Sequence, residues 1–243
     1  MRKNLSIIVV CLLCLFVAAP ALADPSAATN GGGYDGGTVS YTTSPYGGLN
    51  GGGEFTVGGS GFTLPVDQYD PRTHNQTGDG VSTPSIQTFC TEMDEYIVNS
   101  MNIWVSTEFV GGAAGSHAYG GGKNTNTGDD LNPLTAWLYE QFATAQLPNY
   151  EFDNTTGQRK NDAAGLQWAI WYIEEELNNL SYGKAQTYYN MALAAAPTGI
   201  GNVRILQAYY GDEYRQDQLY YVPVPGAVLL GMLGLSVAGI KLR

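Results

Sequence analysis

Two side chains in this sequence could react with each other: the thiol of Cys90 in "TFCTEMDEY" and the carboxamide of Gln167 in "AAGLQWAIWYI". A thiolate is a nucleophile, and a carboxamide carbonyl is an acyl donor. Attack of one on the other with loss of ammonia leaves an internal thioester. Each residue also has a plainer reading. A buried cysteine behaves as a small hydrophobe, and an exposed one outside the cell oxidises or pairs with a partner chain. A glutamine at a helix edge is ordinarily solvated. Strand alternation would put Cys90 on one face with Thr88 and Glu92, which is hardly an apolar face. Flanking Trp168 and Trp171 give Gln167 an aromatic setting, with Phe89 beside the thiol.

Other chemistries lack their residues. Serine-hydrolase, P-loop, dinucleotide and zinc patterns are absent. His74 and His117 stand in loops without metal-ligand spacing, and the Asp/Asn stretch 124–130 lacks the ordered ligand pattern of a calcium loop. Glu92 and Asp94 share a strand face with nothing that makes them an acid/base pair. No metal, no cofactor and no catalytic residue set is expected, so the chain does not read as an enzyme. The formal charge is −11. It becomes −15 once both ends are removed, because Arg2, Lys3, Lys241 and Arg243 leave without any acidic residue. Such a chain repels nucleic acid.

The elements that must position the pair read as α+β, a mainly antiparallel β framework (sandwich or barrel) with inserted helices. Residues 31–63 hold 13 glycines interleaved with "TVSYTTS" and "EFTV", short strands joined by glycine turns. "SIQTFCTEMDEYIVN" and "NIWVSTEFV" read as two more strands, with Cys90 in the first. Asn132 and Pro133 cap and open a helix with Leu134, Trp137, Leu138 and Phe142 at helical spacing. A second helix starts after Asp162, with Leu166, Ala169, Ile170, Ile173 and Leu177 as its apolar stripe and Gln167 at its edge. A third covers "GKAQTYYNMALAAA", and "NVRILQAYY" and "DQLYYV" return to strand.

Residues 1–23 have the pattern of a secretory signal peptide, with Arg2 and Lys3 ahead of an apolar run and Ala21 and Ala23 before the cut. Cys11 and Cys14 leave with it, so Cys90 is the one cysteine expected in the exported chain. Residues 24–49 form a Gly-rich N-terminal segment and 50–220 the main domain. Residues 221–243 carry Pro223-Val224-Pro225, an apolar stretch Gly226–Ile240, and the basic Lys241 and Arg243. Fifteen apolar residues fall short of the roughly 20 that span a bilayer, although Val222 to Pro225 extend them. The basic end favours the cytoplasmic side.

That tail resembles the PEP-CTERM sorting signal of exopolysaccharide-producing Gram-negative bacteria, with Val224 where the family usually has Glu. The resemblance implies export, transient anchoring in the membrane by the C-terminal helix, and processing by an exosortase during sorting to the cell surface or extracellular matrix. Over residues 50–210, the order Phe89-Cys90, the helix "LTAWLYEQF" and Gln167-Trp168-Ala169-Ile170-Trp171 resembles the thioester domains of bacterial surface adhesins. Leu166 stands where that family often has Thr. The resemblance implies a Cys90–Gln167 thioester shielded or supported by Phe89, Trp168 and Trp171. An amine of a partner, typically a lysine, would open it and be held by an amide bond. The oxyanion donors are left open among backbone N–H groups, Thr88 and Tyr172. The alternative is a non-catalytic structural protein of the exopolysaccharide or biofilm matrix with an inert cysteine.

Overall fold

The computed structural model describes residues 33–47, 52–59, 61, 64, 85–93, 96–106, 131–211 and 213–222. The signal peptide, the sorting tail from Pro223 onward, His74, His117, Asp94 and the 124–130 stretch lie outside them. Among these residues six strands form one sheet: β1 (Gly33–Gly47), β2 (Gly53–Gly58), β3 (Ser85–Thr88), β4 (Ser100–Ser106), β5 (Val203–Tyr210) and β6 (Glu213–Tyr221). Their order is β3-β2-β1-β4-β5-β6, and every ladder is antiparallel. The two outer strands then meet. Just past β3, Leu219 N–H donates to Phe89 O (3.1 Å), Thr91 N–H donates to Asp217 O (3.1 Å), and Cys90 bridges Gln218. The sheet therefore curls into a near-barrel whose seam passes through Cys90.

Alternation sorts the side chains into two cores. Val39, Tyr41, Val57, Ile86, Met101, Ile103, Val105, Leu206, Ala208 and Tyr220 pack as one cluster inside the curled sheet. On the other face, Phe89, Val203, Ile205 and Leu219 join residues of three helices. These helices are α1 (Pro133–Ala143), α2 (Arg159–Ile173) and α3 (Ala185–Ala195). Asn132 caps α1 by accepting from Leu134 N–H, and Pro133 occupies the first turn, where its missing N–H costs nothing. At Gly165 of α2 a Cβ would lie 2.9 Å from the backbone N of Lys184, which precedes α3, so glycine permits the close approach there. Among the described residues no helix is long and apolar enough to cross a membrane.

Three expectations need correction. Residues 33–47 are not a segment ahead of the domain. They form β1, laddered to β2 on one side and β4 on the other, so the folded unit begins before residue 50. Helix α2 starts at Arg159 rather than after Asp162, because Arg159 is buried against Glu54 and draws the first turn into the core. Strand β3 ends at Thr88, and Cys90 lies beyond it as an isolated bridge residue.

Candidate functional site

The reason β3 ends early is the site itself. The β2–β3 register runs Phe55↔Thr88 to Gly58↔Ser85. Continued two residues past Phe55, it would set Gly53 opposite Cys90. The side chain of Gln167 takes that place. Its Oε1 accepts from Cys90 N–H (3.0 Å) and Gly53 N–H (3.1 Å), and its Nε2 donates to Cys90 O (2.8 Å). A carboxamide has one acceptor oxygen and one donor nitrogen, like a peptide group, so it substitutes for a strand partner. The two N–H donors also fix which end of the amide is oxygen.

Helix α2 delivers this group from the helical side of the sheet. Gln167 sits next to the buried stripe Ala163, Leu166, Ile170 and Ile173, and it is itself 1% exposed. A glutamine at the edge of a helix stripe is ordinarily solvated, and this one is instead buried whole. The packing of α2 on the sheet is tight at Gly52. A Cβ there would lie 2.2 Å from Trp171 Cη2 and 2.8 Å from Gln167 Cγ, so glycine is needed for the ring to lie over the site. Trp171 is held in turn by donating its indole N–H to Glu92 O (2.9 Å). Trp168 is half-buried, packed edge-on to Trp171 (6.1 Å) and against Tyr182 (5.2 Å).

Cys90 has 0% exposure. Its neighbours along the chain are not solvated either: Thr88 and Glu92 are both buried. Thr88 Oγ1 donates to Leu219 O (2.6 Å), and Glu92 Oε2 accepts from Asp217 N–H (2.8 Å). Phe89 points the other way, edge-on to Phe142 at 4.9 Å. It is therefore a core residue of the helical layer rather than a cover over the thiol. Burial pushes the Cys90 thiol well above its usual range; a hydrogen bond from Gln218 opposes this and the charge of Glu92 adds to it. The sulfur is a neutral thiol at physiological pH.

The start of β2 has its own anchor. Glu54, next to Gly53, is fully buried and paired with Arg159 through Oε1–Nη2 (2.6 Å) and Oε2–Nε (3.0 Å). Tyr150 donates its hydroxyl to Oε2 (2.7 Å), and Arg159 also donates to Phe152 O. The ring of Tyr46 lies 4.6 Å from the guanidinium, in the cation–π range.

The structure thus brings Cys90, Gln167 and Trp171 together, keeps Trp168 at the rim, and assigns Phe89 to the core. Thr88 and Tyr172, weighed as oxyanion donors, are engaged elsewhere: Thr88 with Leu219 O, and Tyr172 edge-on to Tyr189 at 5.1 Å. The groups on the Gln167 oxygen are the backbone N–H groups of Cys90 and Gly53. Gly52 and Gly53 were visible only as part of a glycine-rich run, and Gln218 only as one polar residue of a strand. Among the described residues no cluster of acidic, histidine or cysteine side chains could hold a metal ion. No family model matches the chain, and no curated protein or solved structure matches it.

Proposed function

We propose that this protein is an exported surface or matrix adhesin that attaches covalently to amine-bearing partners through a thioester between Cys90 and Gln167. The observation that carries the reading is the pair of N–H groups on Gln167 Oε1. Preorganised donors at a carbonyl oxygen stabilise the charge that develops there during acyl transfer. In forming the thioester, the Cys90 sulfur attacks Gln167 Cδ and negative charge builds on Oε1. The tetrahedral species then collapses by expelling the amide nitrogen, which leaves as ammonia after taking up the thiol proton. In opening, the amine of a lysine-like partner attacks the same carbon. An amide bond forms, the carbon–sulfur bond breaks, and the amine's proton goes to sulfur.

Holding the Gln167 carboxamide against the backbone of Cys90 supports the proximity that the first step needs. Burial under Trp171 keeps water from the bond once formed. The cross-link is made once per molecule, so the protein is not an enzyme in the turnover sense and calls for no cofactor. In this reading residues 1–23 direct export. Residues 221–243, with Pro223-Val224-Pro225, the apolar stretch Gly226–Ile240 and the basic Lys241 and Arg243, serve an exosortase that sorts the chain to the surface or matrix of a Gram-negative bacterium.

A second reading has its own support. Gln167 has its hydrogen bonds satisfied and Cys90 is neutral and sealed, so the pair also suffices as a static latch in a matrix protein. Covalent capture separates the two. Cys90→Ala and Gln167→Ala should each abolish SDS-resistant adducts with amine-bearing surface proteins while the domain stays folded by circular dichroism. Adducts that persist in either variant would remove the thioester reading.

A further inference from the structure

The two N–H groups on the carbonyl oxygen account for one of the two charges that acyl transfer creates. The other appears on sulfur, on the opposite side of the reacting bond. Gln218 on β6 faces it. The backbone bonds of the flanking residues (Phe89 with Leu219, Thr91 with Asp217) make Cys90 and Gln218 a non-hydrogen-bonded antiparallel pair. In such a pair the side chains stand closest together. Gln218 is fully buried, and its Nε2 lies 3.4 Å from Cys90 Sγ and 3.5 Å from Gln216 O. The backbone carbonyl of Gln216 fixes the amide orientation, since only the nitrogen end can donate to it. The oxygen end, Oε1, is buried without a hydrogen-bond partner among the described residues. An unsatisfied buried carbonyl is costly, and a structural glutamine would be expected to satisfy both ends. This one leaves an acceptor unpaired while directing its donor at sulfur.

We infer that Gln218 is a catalytic residue of the thioester chemistry: its Nε2–H stabilises the sulfur as it takes on negative charge, both when the bond forms and when an amine opens it. The inference rests on the thioester reading. In opening, the electron pair of the breaking carbon–sulfur bond goes to Sγ, and the proton lost by the attacking amine nitrogen ends there. Until that proton arrives, the sulfur is a buried thiolate, and Gln218 is the side chain that donates to it. The unpaired Oε1 belongs to the same carboxamide and is an acceptor for an N–H of the entering amine or of the departing ammonia.

The test uses the secreted protein, with Gln218→Met removing both polar ends at similar length and Gln218→Glu retaining the shape but placing an oxygen against sulfur. Intact mass follows thioester content, methylamine supplies the nucleophile, and the thermal midpoint is read in parallel. With wild type one ammonia short of its sequence mass, both variants should open about ten-fold to a hundred-fold more slowly, the effect of losing a hydrogen bond to a charged group. A variant that is folded but at full mass, with its thiol free, would also support the inference, since formation has then failed. If Gln218→Met does not fold, Gln218→Glu carries the comparison. Opening rates within two-fold of wild type in the folded variants would overturn the role of Gln218 and leave the thioester standing. Wild type at full mass would remove the thioester, and the role of Gln218 with it.

Discussion

Glu54→Gln is the substitution whose consequence can be worked out most fully. The change keeps the shape of the side chain but removes the charge that faces a fully buried guanidinium. Arg159 would retain Phe152 O and the face of Tyr46, while the 2.6 Å and 3.0 Å contacts lose their charge and one of them becomes an N–H facing an N–H. Breaking a buried ion pair from one side costs about 3–5 kcal/mol, because the remaining charge is left uncompensated. For a folded unit of this size each kcal/mol lowers the midpoint by about 2–4 °C, so a drop of roughly 6–20 °C is expected. Glu54 directly follows Gly53, so a loosened β2 start also withdraws one donor from Gln167 Oε1. Thioester formation should therefore slow at temperatures where the variant is still folded. The double change Glu54→Leu with Arg159→Met, which removes both charges, should recover most of the stability. Scanning calorimetry and intact mass on the three proteins supply the readouts. A midpoint shift under about 2 °C for Glu54→Gln would refute the view that this pair anchors β2 in a dry interior.

Gly52→Ala would push a methyl group into Trp171 and Gln167. An overpacking cost of about 1–3 kcal/mol is expected, together with faster loss of the thioester to water, followed as thiol appearance over time. Trp171→Phe removes the indole bond to Glu92 O and part of the cover; hydrolysis should quicken while reaction with methylamine is kept. The Cys90 thiol gives a pH signature in Gln167→Ala protein, where no thioester can form. Its value is raised by burial, against the Gln218 hydrogen bond and with the help of Glu92, so the folded state holds the proton more tightly than the unfolded state. That contribution is complete below the unfolded thiol value, about 8.5, and is lost as pH rises above it. Urea midpoints of Gln167→Ala should therefore fall more steeply above that pH than those of Gln167→Ala with Cys90→Ala. Parallel curves would refute the assignment.

That Cys90 and Gln167 meet was legible in the sequence because thiol and carboxamide are residue-type signals, and Asn132-Pro133 marked α1 because capping is local. What could not be read was carried by register and by the backbone. Gly53 contributes an N–H that any residue but proline possesses, and its place opposite Cys90 depends on a ladder set by Phe55↔Thr88. Gln218 meets the sulfur only because the curled sheet brings β6 back to the end of β3. Arg159 starts α2 three residues before Asp162 for a tertiary reason, the Glu54 carboxylate 105 positions earlier in the chain. Of the aromatics expected to shield or support the site, Phe89 is turned by strand alternation toward the helices and supports from the core, while Trp171 from α2 lies over the site.

The intact mass of the secreted protein, measured with and without methylamine alongside titration of its thiol, tests the central claim most directly. A protein carrying the thioester has a mass short by one ammonia and no titratable thiol, then gains one methylamine as Cys90 becomes free. A protein at full mass with Cys90 already titratable after unfolding, and no gain of methylamine, would contradict it and leave the Cys90–Gln167 pair as a structural latch.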